Sequence, residues 1–137
     1  MSFADAELAL TLGNPDRAIE VMDELIIQLQ ERDARSLLPE ALLIKGKALT
    51  DDGKGTEAIR ILEEARAESE RLGERRQLWV ILADLADLEA GQGNSTLAEE
   101  LRSQAREVIA YIADHIDDKQ LRTSFLSLAT VSELNSS

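Results

Sequence analysis

The sequence predicts an all-α protein, an α-solenoid of antiparallel helix hairpins with a 40-residue period and a C-terminal capping helix. Two observations carry this prediction. The 137 residues are 44% hydrophobic and 31% charged but only 3% aromatic, with 7 Gly and 2 Pro, a composition that favours helices over strands. In addition, the related segments GNPDRA, GKGTEA and GNSTLA begin at a constant spacing, at Gly13, Gly53 and Gly93.

Each of these segments is predicted to be the turn between the two helices of one hairpin. Gly suits the left-handed residue that ends a helix, and the Ala five residues later lies in the first turns of the next helix. The period continues in pairs such as Leu38 with Leu78. Gly46 and Ala86 are also separated by one period, and such small residues are needed where two helices approach closely.

Apolar residues spaced three and four apart predict the helices between these turns. The first long helix runs from about Pro15 to Arg32, and Pro in its first turn removes no helical hydrogen bond. The next four helices are predicted from their apolar sets, which are Leu38, Ala41, Leu42, Ala48 and Leu49; Ala58, Ile59, Leu62, Ala65 and Leu72; Leu78, Ile81, Leu82, Leu85 and Leu88; and Leu97, Ala98, Leu101, Ala105, Val108, Ile109 and Ile112.

A last helix is predicted after an N-cap at Asp117, because Gln120 follows three residues later, as in a capping box. Its apolar face would be Leu121, Phe125 and Leu128. The chain is then a single repeat domain over residues 1–129 with a flexible tail. Its predicted parts are hairpins at about 1–32, 36–72 and 75–116, the capping helix at about 118–129 and the tail at 130–137.

The residues of these hairpins resemble the tetratricopeptide repeat (TPR), with W-x2-L-G-x2-Y on its first helix and A-x3-F on its second. Leu42–Leu49 (LLIKGKAL) includes L-x2-K-G-x2-L and is followed by Ala58-x3-Leu62, while residues 82–89 and Ala98-x3-Arg102 form a second copy. The departures are the missing first aromatic, Arg102 at an apolar position, no closing Pro, and a period longer than that of the TPR. A longer period resembles the extended repeats of large bacterial signalling ATPases and transcription regulators.

In TPR arrays the first helices line a concave surface, so the resemblance implies a groove that binds a peptide or a helix. Chaperone-binding repeats use basic residues there to recognise acidic tails, whereas Lys47 is nearly alone here among acids, so acidic C-terminal tails are not expected partners. An ordinary solvent-exposed surface is the alternative interpretation of each residue. The implied groove residues are Glu40, Leu43, Ile44, Lys47, Thr50, Asp51, Val80, Ala83, Asp84 and Asp87.

Charge and residue types argue against several other functions. The chain has 15 Lys and Arg against 27 Asp and Glu, and its net charge of -12 repels nucleic acid and anionic lipid. It has no Cys and one His, which removes thiol nucleophiles and zinc-finger sites. His115 with Asp114 and Asp118 offers metal-ligand types, but a helix C-terminus followed by an acidic N-cap explains the same residues. We therefore predict no catalytic residue, metal or cofactor.

Trp79, the single Trp, has two interpretations. The favoured prediction is that it fills the core or packs between neighbouring repeats. The alternative is that it is a hot spot in a groove that binds a partner.

The leading functional hypothesis is a non-catalytic protein–protein interaction module, or scaffold, in the cytoplasm. The N-terminus lacks a secretory signal, and no stretch approaches 18 uninterrupted apolar residues. Tyr111–Leu128 resembles the ending of repeat arrays in large bacterial multidomain proteins, and this resemblance implies a C-terminal piece of a larger regulatory protein. The helix before Gly13 has at most about 12 residues and its counterparts about 17, which predicts a clipped first repeat. One alternative is self-association through the N-terminal end or the groove. Another is a small-ligand sensor with a pocket near Asp84 and Asp87.

Overall fold

The computed structural model describes residues 2–128, and every regular element in that range is helical. Seven α-helices alternate with short connections, and a short 3-10 turn, Arg35–Leu37, precedes the third of them. The all-α prediction is therefore confirmed for these residues. The helices are α1 Phe3–Thr11, α2 Pro15–Glu31, α3 Leu38–Asp51, α4 Gly55–Leu72, α5 Leu78–Gly91, α6 Ser95–Asp114 and α7 Lys119–Leu126.

The 40-residue period of the sequence is also the period of the helix boundaries. α3 covers residues 38–51 and α5 covers residues 78–91, so both ends match after one period. The second helices of the hairpins, α2, α4 and α6, begin at residues 15, 55 and 95. Helix ends depend on local signals, and the repeated segments therefore encode the same local structure.

The turn inside each hairpin is a helix C-terminus closed by a left-handed glycine. Gly53 has φ +76° and donates its N–H to the carbonyl of Thr50 at 3.1 Å, while the next N–H bonds to the carbonyl of Leu49 at 2.9 Å. This is a Schellman motif, which satisfies carbonyl groups that a helix end would otherwise leave without a partner. Gly13 and Gly93 have φ values of 75° and 86° at the same place, so the predicted helix–turn–helix joints are confirmed.

Inter-residue contacts divide the chain into two compact units, and residues 2–73 are the described part of the first. In this unit α2 packs against α1 and α3, and α3 packs against α4. Lys45 of α3 reaches Asp23 of α2, with 2.7 Å between Nζ and Oδ1. Gly46 faces Leu62 of α4, as expected for a small residue at a close helix contact. The largest fully buried apolar side chains of this unit are Val21, Met22, Pro39 and Leu62.

Residues 74–128 are the described part of the second unit. Here α5 packs along α6, and α7 packs against α6. Ala86, one period after Gly46, is fully buried. The largest fully buried side chains of this unit are Ile81, Leu85, Leu101 and Ile109. A single domain over residues 1–129 and its solenoid arrangement stay predictions, and the tail at 130–137 lies outside the described residues.

The last helix is capped one residue later than its sequence pattern predicts. Oδ1 of Asp118 accepts a hydrogen bond from the N–H of Leu121 at 3.0 Å, which makes Asp118 the N-cap in place of Asp117. Adjacent Asp residues offer the same capping group, so sequence alone does not distinguish their registers. The observed register is the one in which Phe125 contacts Trp79.

The apolar face predicted for α7 is also wrong in part. Leu121 is 64% exposed and Leu128 is 52% exposed, whereas Phe125 is half-buried. Arg122 is also partly buried, and its Nε and Nη2 donate to the carbonyl of Ile116 at 3.2 and 2.7 Å. A guanidinium bound to a carbonyl therefore occupies part of the inner face of this eight-residue helix, and two leucines remain at the surface.

Candidate interaction surfaces

The six candidate groove residues of α3 are spaced as one face of that helix, but they differ in burial. Leu43 and Ile44 are each only 5% exposed. Glu40 is partly buried, and Lys47, Thr50 and Asp51 are exposed. The hydroxyl of Thr50 donates to a carbonyl within α3 at 2.9 Å. A molecule that docks on this face would therefore meet mainly polar side chains.

The four candidates of α5 show the same mixture. Ala83 is 7% exposed, Val80 and Asp84 are partly buried, and Asp87 is exposed. Oδ1 of Asp87 lies 3.5 Å from Nη2 of Arg102 on α6, and 77% of the Asp87 side chain is exposed. The carboxylate therefore has an intramolecular cation nearby and still faces solvent.

Arg102 stands where the repeat pattern expects an apolar residue. Leu62 occupies that position one period earlier and is fully buried. The side chain of Arg102 is instead 29% exposed, and its guanidinium is directed towards Asp87. Arg102 can therefore replace the apolar residue of the repeat, because its aliphatic part is largely buried while its charged end reaches the carboxylate of Asp87.

Trp79 is 8% exposed, so the prediction that it fills a core is confirmed. It meets Phe125 of α7 edge to face, with 6.3 Å between ring centroids and 86° between ring planes. Because almost all of its surface is already covered, Trp79 offers little area to a partner in this conformation.

His115 is the C-cap of α6 and stacks on Tyr111, with ring centroids 4.0 Å apart. Its Nδ1 lies 2.8 Å from the Tyr111 carbonyl, and Asp118 caps α7. These contacts match the helix-end interpretation. Among residues 2–128, no group of three or more His, Asp or Glu side chains is placed to hold a metal ion.

Two arginines that lie one period apart anchor the segments before α3 and α5 in different ways. Nη2 of Arg35 bonds to Oε1 of Glu68 on α4 at 2.8 Å. The guanidinium carbon of Arg75 lies 3.9 Å from the centre of the Tyr111 ring on α6. In the first unit the contact is an ion pair, and in the second it is a cation–π contact. Neither arginine stood out in the sequence, because each needs a partner on another helix, distant along the chain.

A shallow, open depression lies at the start of α6. Its lining combines hydroxyl groups with carboxylates, and Nη2 of Arg106 is held by Glu99 at 2.9 Å. The lining residues are Ser95, Thr96, Glu99, Glu100, Ser103 and Arg106. The depression does not include Asp84 or Asp87, the residues of the sensor hypothesis.

An exposed stripe on α1 also escaped the sequence analysis. Leu8 is 58% exposed and Leu12 is 73% exposed. The signal that could have found it is their four-residue spacing next to Ala6 and Ala9, which occupy the buried side of α1. Within residues 2–128 no helix is long and apolar enough to cross a membrane.

Comparison of the chain with protein-family models, with curated proteins and with solved structures finds no match.

Proposed function

We propose that this chain is a non-catalytic, TPR-like interaction module, in which α3 of the first unit and α5 of the second each present a surface that binds a peptide or a helix. The observation that supports it best is the equivalence of these first helices. Lys47 and Asp87, one period apart, are both exposed, while Leu43 and Ala83 are both buried. Equivalent positions of α3 and α5 thus carry side chains of opposite charge. Repeat proteins bind different ligands in this way, by changing exposed side chains on a backbone that stays the same.

The chemistry of these residues favours a cationic partner. On α3 the exposed and half-buried candidates include the carboxylates of Glu40 and Asp51 and the ammonium group of Lys47. On α5 they include the carboxylates of Asp84 and Asp87 and no cation. Because the apolar candidates are largely buried, charge would contribute more to recognition than apolar contact would. We therefore expect a Lys- or Arg-containing peptide or helix, bound with an affinity that falls as salt rises.

The module is proposed as non-catalytic because the sequence has no Cys and a single His for nucleophilic or acid–base chemistry. The side chain of that His stacks on Tyr111, at the C-terminal end of α6. A cytoplasmic location and a scaffold role in signalling belong to the same proposal.

The test is selection of a phage-displayed random peptide library on the purified full chain. Peptides enriched in Lys and Arg are expected, and Asp87→Lys should weaken their binding about tenfold. Glu64→Lys on α4 is the matched control, because it makes the same charge change on a side chain that is 53% exposed. Circular dichroism of both variants establishes that they are folded.

Two results would overturn the proposal. One is selection of peptides without excess positive charge. The other is an equal loss of affinity in Asp87→Lys and Glu64→Lys, which would mean that net charge rather than the α5 surface attracts the peptide.

A further inference from the structure

The outer face of α1 differs in burial from the same face of α3. On α3 this face packs against α2, where Nζ of Lys45 lies 2.7 Å from Oδ1 of Asp23, and Ala48, three residues after Lys45, is fully buried. One period earlier the corresponding residues of α1 are Asp5 and Leu8. Asp5 is exposed, and Leu8 is 58% exposed. A position that this repeat buries against a second helix is therefore open to solvent on α1.

The exposed face continues for one more turn. Leu12, four residues after Leu8, is 73% exposed. Asp5, Leu8 and Leu12 are spaced three and four apart, so they lie along one side of α1 and its C-cap. The opposite side of the helix buries Ala6 and Ala9. We call Asp5, Leu8 and Leu12 the α1 face.

The contact between α2 and α3 indicates which kind of helix fits the α1 face. A helix packed on α1 as α2 packs on α3 places apolar side chains against Leu8 and Leu12, and its equivalent of Asp23 beside Asp5. Asp5 replaces the cation of that ion pair, Lys45, by a carboxylate. The incoming helix therefore needs Lys or Arg where α2 has Asp23. The net charge of -12 also attracts a basic helix at long range.

The second helices of this chain do not meet that requirement. Where α2 has Asp23, α4 has Glu63 one period later and α6 has Ser103 two periods later. Neither an acidic nor a neutral side chain forms an ion pair with Asp5. Two copies of the chain, each with a charge of -12, also repel each other. The chemistry of the α1 face therefore points to a different protein.

We propose that the α1 face binds a basic, amphipathic helix of another protein, which packs along α1 in the way that α2 packs along α3. The bound helix lays apolar side chains over Leu8 and Leu12 and places a Lys or Arg beside Asp5. Oδ2 of Asp5 accepts a hydrogen bond from the N–H of Ser2 at 3.0 Å, and a carboxylate has lone pairs for further donors. This surface is separate from those proposed on α3 and α5, and the inference does not rest on them.

The probe is a synthetic peptide that copies residues 14–32, which are α2 with its N-cap and C-cap. Fluorescence anisotropy measures its affinity for the full chain. A peptide with Asp23→Lys should bind about fivefold more tightly than the unchanged peptide, because it exchanges a repulsion at Asp5 for an ion pair. A peptide with Glu24→Lys is the matched control. It makes the same charge change at an exposed residue about 100° further around the helix, and it should gain less.

A charge reversal in the full chain tests the predicted pairing. With Asp5→Lys the order of the peptides should reverse, so that the unchanged peptide binds more tightly than the Asp23→Lys peptide. Asp5→Lys also removes the capping box of α1. Fraying of α1 would weaken the binding of every peptide, but it would not reverse their order.

Substitutions of leucine locate the contact. Leu8→Glu should weaken binding of the Asp23→Lys peptide about tenfold or more, because it places a charge against apolar side chains. Leu97→Glu is the matched control, since Leu97 is a 40% exposed leucine of α6, and it should leave the affinity unchanged. Asp87→Lys, the variant that tests the proposed function, should weaken binding far less than Leu8→Glu does.

Three results would overturn the inference. The first is no binding of the Asp23→Lys peptide at the highest concentration of the chain. The second is an unchanged order of the peptides with Asp5→Lys while circular dichroism shows the chain folded. The third is a loss of affinity in Leu8→Glu no larger than in Leu97→Glu. A loss in Asp87→Lys alone would place the peptide on α5, which would overturn this inference and support the proposed function.

Discussion

A Cβ atom added to Gly46 would lie 2.6 Å from Cδ2 and 2.8 Å from Cγ of Leu62. The Leu62 side chain is fully buried, so it has little room to move away. The contact between α3 and α4 therefore depends on a residue without a side chain at this position.

Gly46→Ala is expected to lower the free energy of unfolding by about 1–3 kcal/mol, as overpacking does in other cores. It does so although Ala favours a helix by about 1 kcal/mol over Gly. Urea unfolding followed by circular dichroism measures the change. Gly91→Ala is the control, since no other side chain or distant backbone atom of the described residues lies within 4 Å of an added Cβ there, and it should be neutral or stabilising.

The overpacking argument is wrong if Gly46→Ala and Gly91→Ala have the same effect. Leu62→Val in the Gly46→Ala background provides a further check. It removes Cδ2, the atom nearest to the added Cβ, so the double variant should lose less stability than the sum of the two single variants.

Ser69 of α4 is fully buried, and its hydroxyl has no hydrogen-bond partner among residues 2–128. The residues one period before and after it, Leu29 and Ile109, are buried and apolar. Ser69→Ala is therefore expected to raise the free energy of unfolding by about 1 kcal/mol, because it removes a buried polar group without a bond. Thermal melting or urea unfolding measures this.

Ser103→Ala on α6 is the control for the higher helix propensity of Ala, since Ser103 is exposed. Only a few tenths of a kcal/mol are expected there. Destabilisation by Ser69→Ala would show that the hydroxyl makes a stabilising contact in solution.

The carboxylate of Glu68 accepts bonds from Nη2 of Arg35 and Nη2 of Arg71, each at 2.8 Å. Desolvation by burial acts to raise the pKa of Glu68, but the bonds and charges of the two arginines together lower it below its ordinary value of 4.5. A carboxyl with a lower pKa in the folded state adds stability above its unfolded pKa. That contribution is lost as pH falls through the folded pKa.

Glu68→Gln should therefore cost about 1 kcal/mol at neutral pH, and the cost should shrink as the wild-type carboxyl becomes protonated. Urea midpoints measured from neutral to acidic pH test this. Glu64→Gln, which removes the exposed i,i+4 pair with Arg60, should change the midpoint less. A cost for Glu68→Gln that is constant with pH would contradict the assignment to its charge.

The ends of most helices could be predicted because they depend on neighbours in sequence. Pro15 begins α2 and left-handed Gly13 precedes it, and both effects act over one turn. The N-cap of α7 fell one residue away from its prediction, at Asp118, because two equivalent capping residues are adjacent.

The buried faces were harder to predict because burial depends on residues distant in sequence. The apolar pattern of α7 indicated Leu121 as buried, but the bond of Arg122 to the Ile116 carbonyl orients the helix differently. Ser69 is polar yet fully buried, at a position that the repeat fills with buried apolar residues one period before and one period after it. The groove candidates Leu43 and Ile44 were named from the TPR resemblance. That resemblance predicts where a residue lies in the repeat, but not how much of its side chain the rest of the protein buries.

Asp33 and Gly73 occupy the same left-handed position at the ends of α2 and α4, one period apart, with φ values of 54° and 67°. The backbone around Asp33 makes the same closing bonds as the glycine turns, with the next N–H bonded to the carbonyl of Leu29 at 2.8 Å. The left-handed conformation costs a residue with a Cβ atom about 1 kcal/mol, whereas glycine adopts it without this steric cost.

Asp33→Gly should therefore raise the free energy of unfolding by up to about 1 kcal/mol, and Gly73→Asp should lower it by a similar amount. Asp33→Asn is the control for charge, because Asn tolerates the left-handed conformation as Asp does but removes the carboxylate. Stabilisation by Asp33→Gly that Asp33→Asn does not reproduce would assign the gain to the backbone. Equal gains in both variants would instead assign it to the removal of a negative charge from the C-terminal end of α2, where the helix dipole disfavours carboxylates.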